Sequence, residues 1–308
     1  MSRRIAKISI AILLGVAAYV WVLSRTNRPE LLRQYFRLEN AWIEHWPTQS
    51  GKLKIEKFSN ILLRAGMLAP ARVEIEPGLS LMLDPRDLVP LVILRTGIWE
   101  PELWSSISAT LPEGGVFLDV GAHIGYFSVK AARKVGKTGR VVAFEPNPET
   151  LNLLRDNVSA NRAENVVVEP IACTDREQML TLFAAAFFNT GRASLGRQNA
   201  DFSRDGPPKE YTVRGRPIDD VVRELNLTRV DVIKIDVEGA EVFVVKGAMN
   251  TLKRFHPKLI VEVIPAQLAS LKSTPEDLIA AIKAAGYNHS RPINPEKIDW
   301  EWTVQAPR

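Results

Sequence analysis

The chain has 308 residues, 46% hydrophobic and 24% charged, which is ordinary for a globular protein and enough for one large cored domain or two small ones. A single cysteine, Cys173, excludes an internal disulfide and a thiolate cluster for zinc, and suits a reducing compartment. The net charge of +5 favours anionic partners, but the basic residues are scattered and not interleaved with aromatics, so a nucleic-acid partner is not expected.

Residues 1–25 differ from the rest. An apolar run from Ile8 to Leu23 follows Arg3, Arg4 and Lys7 and precedes Arg25 and Arg28. With Ile5 it approaches the roughly 20 residues that a bilayer span requires. Tyr19 and Trp21 resemble an interfacial aromatic anchor. The expectation is a retained N-terminal transmembrane helix. A cleaved signal peptide is the alternative, and no clean small-x-small site before Arg25 supports it. Both flanks are basic, so charge does not set the orientation.

Residues 26–69 read as a helical linker or collar, with helical spacing around Leu31, Leu32, Tyr35, Phe36 and Leu38. Residues 70–112 read as an N-terminal extension of a catalytic domain. They contain two short strands, ARVEIE and LSLMLD, joined at Pro77-Gly78, and then one helical stretch through VPLVILRTGIWEPELWSSI. From residue 113 to 308, with a core over 113–264, strands and helices alternate: VFLDV, YFSVKAARKVG, RVVAFE, PETLNLLRDNVSANR, NVVVEPIA, VDVIKID, GAEVFVVKGAMNTLKRF and KLIVEVI. Continuous β-branched runs between amphipathic helices predict an α/β fold, a doubly wound and mostly parallel sheet covered on both faces. Ligands bind such sheets beyond the carboxyl ends of the strands. Residues 176–216 break the rhythm as a polar, Gly/Pro-containing insertion expected to shape the site. TPEDLIAAIKAAGY reads as a capped helix, and the last twenty residues show no assignable pattern.

The first strand runs into VFLDVGAHIG, a strand, tight turn and helix start. Its Gly121-x-x-x-Gly125 spacing is not the G-x-G-x-x-G of a dinucleotide fold, which weakens a pyrophosphate-binding reading. Glu145, ending RVVAFE, stands where such folds place a carboxylate on ribose hydroxyls; a helix-start carboxylate before Pro146 is the alternative. In KIDVEGAE, Lys234 lies on a later strand with Asp236 and Glu238 at its end. Strand alternation would send the three side chains in broadly one direction if the strand continued that far. Three ionisable groups at the end of an apolar strand are costly unless paired or functional. A plain Lys234–Asp236 ion pair is one reading; proton abstraction by Asp236 or Glu238, with Lys234 tuning the charge, is the other. Glu262, in LIVEVIP, could join them.

The ordered set DVGAHIGYFS, VVAFEPNPETLNLLRDN, NTGRASL and VDVIKIDVEGAEVFVVKGA resembles the FkbM-type family of S-adenosylmethionine-dependent methyltransferases, with matches spread over residues 113–264. The resemblance implies a Rossmann-like class I methyltransferase fold and, as the usual reaction, O-methylation of a sugar or natural-product hydroxyl. Asp119, Gly121 and Gly125 match the motif for the methionine portion of S-adenosylmethionine, and Glu145 matches the ribose acid. Asn147 would assist near the adenosine, and ACTD would border adenine, making Ala172 and Cys173 neighbours and Asp175 a weaker one. Asn189, Arg192 and Ser194 of NTGRASLG are candidate acceptor-binding donors; an ordinary polar turn is the alternative. His123 is a substrate contact or a half-exposed loop side chain.

Methyl transfer requires in-line placement of the acceptor oxygen, and a positioned base adds a factor of about 10² to 10⁴. The carboxylates meet that need; a divalent metal held by them ranks second, because no histidine-rich set supports it, and no metal is expected. The expected acceptor is a small-molecule, glycan or lipid-linked hydroxyl. The N-terminal helix would tether the enzyme to a membrane, with the catalytic domain on the cytoplasmic face where S-adenosylmethionine is made. A protein acceptor, or a non-catalytic tethered nucleoside-binding module, are the competing readings.

Overall fold

The computed structural model describes residues 29–45, 69–185, 190–200, 206–296 and 298–304. The apolar run and its expected membrane helix, residues 46–68 of the collar, and Asn189 lie outside them. Among the described residues no helix is long and apolar enough to cross a membrane. Two compact units divide the chain, residues 1–99 and 100–308. The division therefore falls before the helix that begins at Pro101, some dozen residues ahead of the expected domain start.

In the smaller unit, α1 (Pro29–His45) buries Leu32, Tyr35 and Phe36 of the positions that helical spacing picks out, whereas Leu38 is exposed. β1 (Ala71–Glu76) and β2 (Leu79–Leu83) form the expected antiparallel hairpin. Its turn is fastened by the Gly78 N–H donating to Glu74 Oε1 at 2.7 Å. The expected single helical stretch is two helices. α2 (Leu88–Thr96), capped by the Asp87 side chain, ends at Gly97, whose φ of 85° turns the chain out of the helix. α3 (Pro101–Thr110) starts afresh at its proline and belongs to the larger unit.

The larger unit continues with β3 (Val116–Val120), α4 (Tyr126–Val135), β4 (Arg140–Phe144), α5 (Pro148–Ala160) and β5 (Val166–Glu169). A second run follows: β6 (Ala172–Cys173), β7 (Gln178–Ala184), a 3-10 turn at Thr190–Arg192, α6 (Arg197–Ala200) and β8 (Lys209–Arg216). The chain then returns through α7 (Ile218–Glu224), β9 (Val232–Ile235), α8 (Glu241–Gly247), α9 (Met249–Phe255), β10 (Lys258–Glu262), α10 (Pro265–Ser270), α11 (Pro275–Ala284), β11 (His289–Pro292) and β12 (Asp299–Thr303).

Seven strands form one sheet in the order β11-β12-β10-β9-β3-β4-β5. The five from β10 to β5 are parallel, and β12 runs antiparallel to both of its neighbours. Leu118, Val142, Ile233 and Leu259 are fully buried, which explains why these strands read as continuous apolar runs rather than as alternation. The chain steps from β3 outward through β4 to β5, then back to β9 on the other side. A crevice therefore opens between the carboxyl ends of β3 and β9.

Two parts of the larger unit depart from expectation. The 176–216 segment is not wholly irregular, because β7 and β8 pair antiparallel along 178–184 and 209–216 and, with β6, make a second sheet of three strands. The last twenty residues supply β11 and β12. β12 hid because buried charges alternate with its tryptophans: Trp300 and Trp302 pack in the main core, while buried Glu301 accepts from Ser106, Lys258 and Arg291, so DWEWT lacks the unbroken apolar run of the parallel strands.

Candidate active site

The turn after β3 bends back so that the Gly121 and Ala122 N–H groups both donate to Phe144 O, at 3.1 and 3.0 Å. The Gly125 N–H donates to Ala122 O at 2.8 Å, closing the turn at the start of α4. Gly121 has φ 80°, and a Cβ there would lie 1.8 Å from Asp236 O. Only glycine allows the backbones of the turns after β3 and β9 to meet in this way.

Glu145, buried at the end of β4, grips this turn and the next helix. Its Oε2 accepts from the His123 N–H at 2.8 Å, and its Oε1 from the Asn147 N–H and the Thr150 hydroxyl, both at 2.9 Å. Burial raises its pKa, against the opposing pull of His123 and these hydrogen bonds. An ionised carboxylate has about four lone-pair sites, so roughly one remains for a ligand. Asn147 caps α5, its Oδ1 accepting from the Glu149 N–H at 3.1 Å. Its Nδ2 is buried with no hydrogen-bond partner among the described residues.

Asp119 is fully buried, and the Ser128 hydroxyl donates to its Oδ2 at 2.6 Å. Its Oδ1 lies 3.6 Å from Lys234 Nζ, an ion pair just beyond hydrogen-bond reach. Lys234 Nζ also donates to Gly121 O at 2.9 Å and sits 3.3 Å from Asp236 Oδ2. Burial works to lower the Lys234 pKa, but Asp236 and Asp119 outweigh it and hold the ammonium above its ordinary range. The Lys234–Asp236 ion pair weighed in the sequence is thus present, and it ties the two turns together.

The strand ends at Ile235, so alternation does not govern Glu238. Glu238 takes a left-handed φ of 54°, and Gln267 Nε2 donates to its Oε2. Burial raises its pKa, Asp236 adds to the rise, and Arg192 opposes it. Glu262, at the end of β10, has its pKa raised by burial and then by Asp236 and Glu238. Its Oε2 is buried with no hydrogen-bond partner among the described residues. Asp236 keeps 35% of its side chain exposed and is the open edge of the cluster.

Some sequence candidates have different surroundings. The Ser194 hydroxyl is 1% exposed and donates to Glu238 O at 2.6 Å, so it braces the carboxylate turn instead of offering a donor to an acceptor. The Cys173 side chain packs in the main core, and burial pushes its thiol pKa up, so only its backbone remains for a ligand. His123 is the partly exposed loop side chain of the second reading, and its Nε2 is hydrogen-bonded to Thr190 Oγ1 at 2.8 Å.

Three residues were missed in the sequence. Glu241, in the first turn of α8, is buried, and its Oε1 accepts from the Gly239 and Val237 N–H groups at 3.0 and 3.3 Å. An acidic residue at a helix start was the available signal. Asn199 and Gln267 carried none, since neither belongs to a spaced motif.

Burial pushes the Glu241 pKa to about 7, above the unfolded value of about 4.3. A group with a raised folded pKa stabilises fully below its unfolded pKa and loses that contribution as pH rises through the folded one. Asp299, pushed up to about 6 by burial and by Asp236, acts in the same direction. The melting temperature is therefore expected to fall between about pH 5 and pH 8, and Glu241→Gln to flatten that fall. A wild-type melting temperature rising over this range would contradict the assignment.

The strand order, the reversal between β3 and β9, and a glycine turn gripped by an acid at the end of the adjacent strand define a Rossmann-like methyltransferase fold. The chain belongs to the family of FkbM methyltransferase domains, whose model matches residues 119–288, more than half of the sequence. S-adenosylmethionine is the cofactor of this family. The residues present fit it: the Asn147 Nδ2 is buried with no hydrogen-bond partner among the described residues, and Glu145, which holds the glycine turn through the His123 N–H, keeps lone-pair capacity beyond its three hydrogen bonds. The chain is similar to the methyltransferase sdnD of Sordaria araneosa, 32% identical over 164 residues, covering 45% of this chain and 62% of that protein. It is also similar to the hexuronic acid methyltransferase AglP of Haloferax volcanii, 30% identical over 151 residues, covering 49% and 56%. Among solved structures, a methyltransferase FkbM from Methylobacillus flagellatus aligns at 20% identity and a TM-score of 0.41, covering 70% of this chain and 52% of that one. The matched stretch thus spans about three-fifths of these curated relatives' length.

Proposed function

We propose that the protein is an S-adenosylmethionine-dependent O-methyltransferase acting on a hydroxyl of a carbohydrate, lipid-linked or natural-product acceptor. The observation that carries the reading is the meeting of the glycine turn and the carboxylate turn, so close at Gly121 and Asp236 that no side chain fits between them. A cofactor held by the first turn and a hydroxyl served by the second share one crevice.

Asp119, Gly121 and Gly125 would hold the methionine end of the cofactor, Glu145 the ribose, and Asn147 the adenosine side. When bound, S-adenosylmethionine supplies a methyl group on a positively charged sulfur, open to in-line attack by the acceptor oxygen. Glu238 is the better base, because burial raises its proton affinity toward the range useful at neutral pH. Asp236, ion-paired to Lys234 and partly exposed, accepts a hydrogen bond from the incoming hydroxyl and orients it. Glu262 would share the acceptor side. Arg192, close enough to oppose the Glu238 pKa rise, is the cation suited to an acidic sugar, and the hexuronic acid named for AglP supports that acceptor class. The apolar run from Ile8 to Leu23 would tether the protein to a membrane with the catalytic unit on the cytoplasmic side, which favours a lipid-linked acceptor.

The test is titration calorimetry with S-adenosylmethionine on wild type and Glu145→Ala, followed by methyl-transfer assays on glycosides of hexuronic acids. Glu145→Ala is expected to weaken binding by about tenfold or more, since it removes a charge-assisted acceptor and loosens the His123 and Asn147 N–H groups. Equal affinity in the two proteins would remove Glu145 from the cofactor site. No binding to folded wild type would sink the proposal.

A further inference from the structure

His123 and Glu238, one in each of the two turns, are non-glycine residues in the left-handed region, at φ 52° and 54°. Such a conformation persists only where the surroundings over-determine it. A single segment, Thr190–Ala200, reaches both. Thr190 Oγ1 is hydrogen-bonded to His123 Nε2 at 2.8 Å. Ser194 Oγ and Asn199 Nδ2 donate to Glu238 O at 2.6 and 2.7 Å. Between these ends the segment is anchored. Ser194 and Phe183 exchange backbone hydrogen bonds at 2.8 and 2.9 Å, the Gly196 N–H donates to Ser194 Oγ at 3.0 Å, and Asn199 Nδ2 also donates to Ser270 Oγ at 2.7 Å.

We infer that Thr190–Ala200 is a strut that registers the carboxylate turn on the cofactor turn, with His123 as the positioning residue that joins them. The His123 N–H donates to Glu145 Oε2, the oxygen of the proposed ribose acid, while its ring holds Thr190. A ribose hydroxyl that draws on Glu145 therefore acts on the backbone of the residue whose side chain fixes the strut. The other end of the strut holds the Glu238 carbonyl, and with it the carboxylate of the same residue. The cofactor half of this inference rests on the methyltransferase reading; the strut itself is a property of the free protein.

The test is hydrogen exchange on the full chain, comparing wild type, Thr190→Ser and Thr190→Val, each with and without S-adenosylhomocysteine. In the free protein, Thr190→Val should speed exchange in 190–200 and in 236–241 by about tenfold or more, while Thr190→Ser, which keeps the hydroxyl, stays near wild type. S-adenosylhomocysteine should slow exchange in 236–241 for wild type and Thr190→Ser but not for Thr190→Val, with affinities within about threefold of each other. A general loss of stability would speed exchange throughout and would not be rescued by serine. Wild-type exchange in 236–241 of free Thr190→Val overturns the strut. If wild type does not bind S-adenosylhomocysteine, the methyltransferase reading fails, while the free-protein comparison still decides the strut. Should Thr190→Val not fold, His123→Phe, which removes the ring nitrogen, supplies the same comparison.

Discussion

Replacing Lys234 with methionine is expected to destabilise the larger unit by about 3–5 kcal/mol, the cost of removing one partner from a buried charged pair. Lys234 is 3% exposed and Asp119 is fully buried, so the loss leaves Asp119 with the Ser128 hydroxyl and no cation. Gly121 O loses its donor in the same step, which loosens the glycine turn. The double variant Lys234→Met with Asp119→Asn should recover much of the loss, because the uncompensated charge is then gone. The pH dependence has a definite sign. Burial already raises the Asp119 pKa in the wild type, and removing Lys234 takes away the largest opposing influence. Asp119 then folds protonated, so the destabilisation should shrink as pH falls toward the unfolded carboxylate pKa of about 3.9 and grow as pH rises. Urea melts at two pH values decide it. A single-variant loss below about 1 kcal/mol would show the ion pair to be energetically idle.

Glu238→Gln is expected to lower methyl transfer by about 10² to 10⁴, the contribution of a positioned base. S-adenosylmethionine binding should change little, because Glu238 lies on the carboxylate turn, where its side chain accepts from Gln267 and its carbonyl from Ser194. A base works only when deprotonated, so the wild-type rate should rise with pH through the raised Glu238 pKa. In Glu238→Gln the residual rate should be flat across that range. Asp236→Asn should also slow turnover, by removing the partner of Lys234 at the open edge of the cluster, but should keep the pH-dependent rise. Full activity in Glu238→Gln would move the base to Asp236 or Glu262. Loss of turnover with cofactor binding preserved would also set an enzyme apart from a nucleoside-binding module.

Much of the site's chemistry was legible because it is local. Asp119 sits in β3 one residue before its end, and Gly121 and Gly125 occupy the turn that follows, both at positive φ. Glu145 follows an apolar strand by one residue, and Asp236 follows another. The parallel core could be read because strands buried on both faces leave unbroken β-branched runs. What failed was whatever depended on distant partners. β12 looked irregular because its buried Glu301 is compensated by Ser106 and by Lys258 from other elements. The insertion looked like a loop because the pairing of β7 with β8 spans a long stretch of chain. Ser194 looked like an acceptor donor because nothing local shows that its hydroxyl is spent on the Glu238 carbonyl, 44 residues away.

The sequence by itself determined the layered α/β plan, the family, the glycine turn and the acids at the strand ends, because periodicity and short motifs encode backbone geometry over a few residues. Only the tertiary structure decided how those acids are used. Lys234 bridges Asp119 and Asp236, Glu241 holds the carboxylate turn, and the insertion braces Glu238, since charge pairing and burial depend on which distant residues packing brings together.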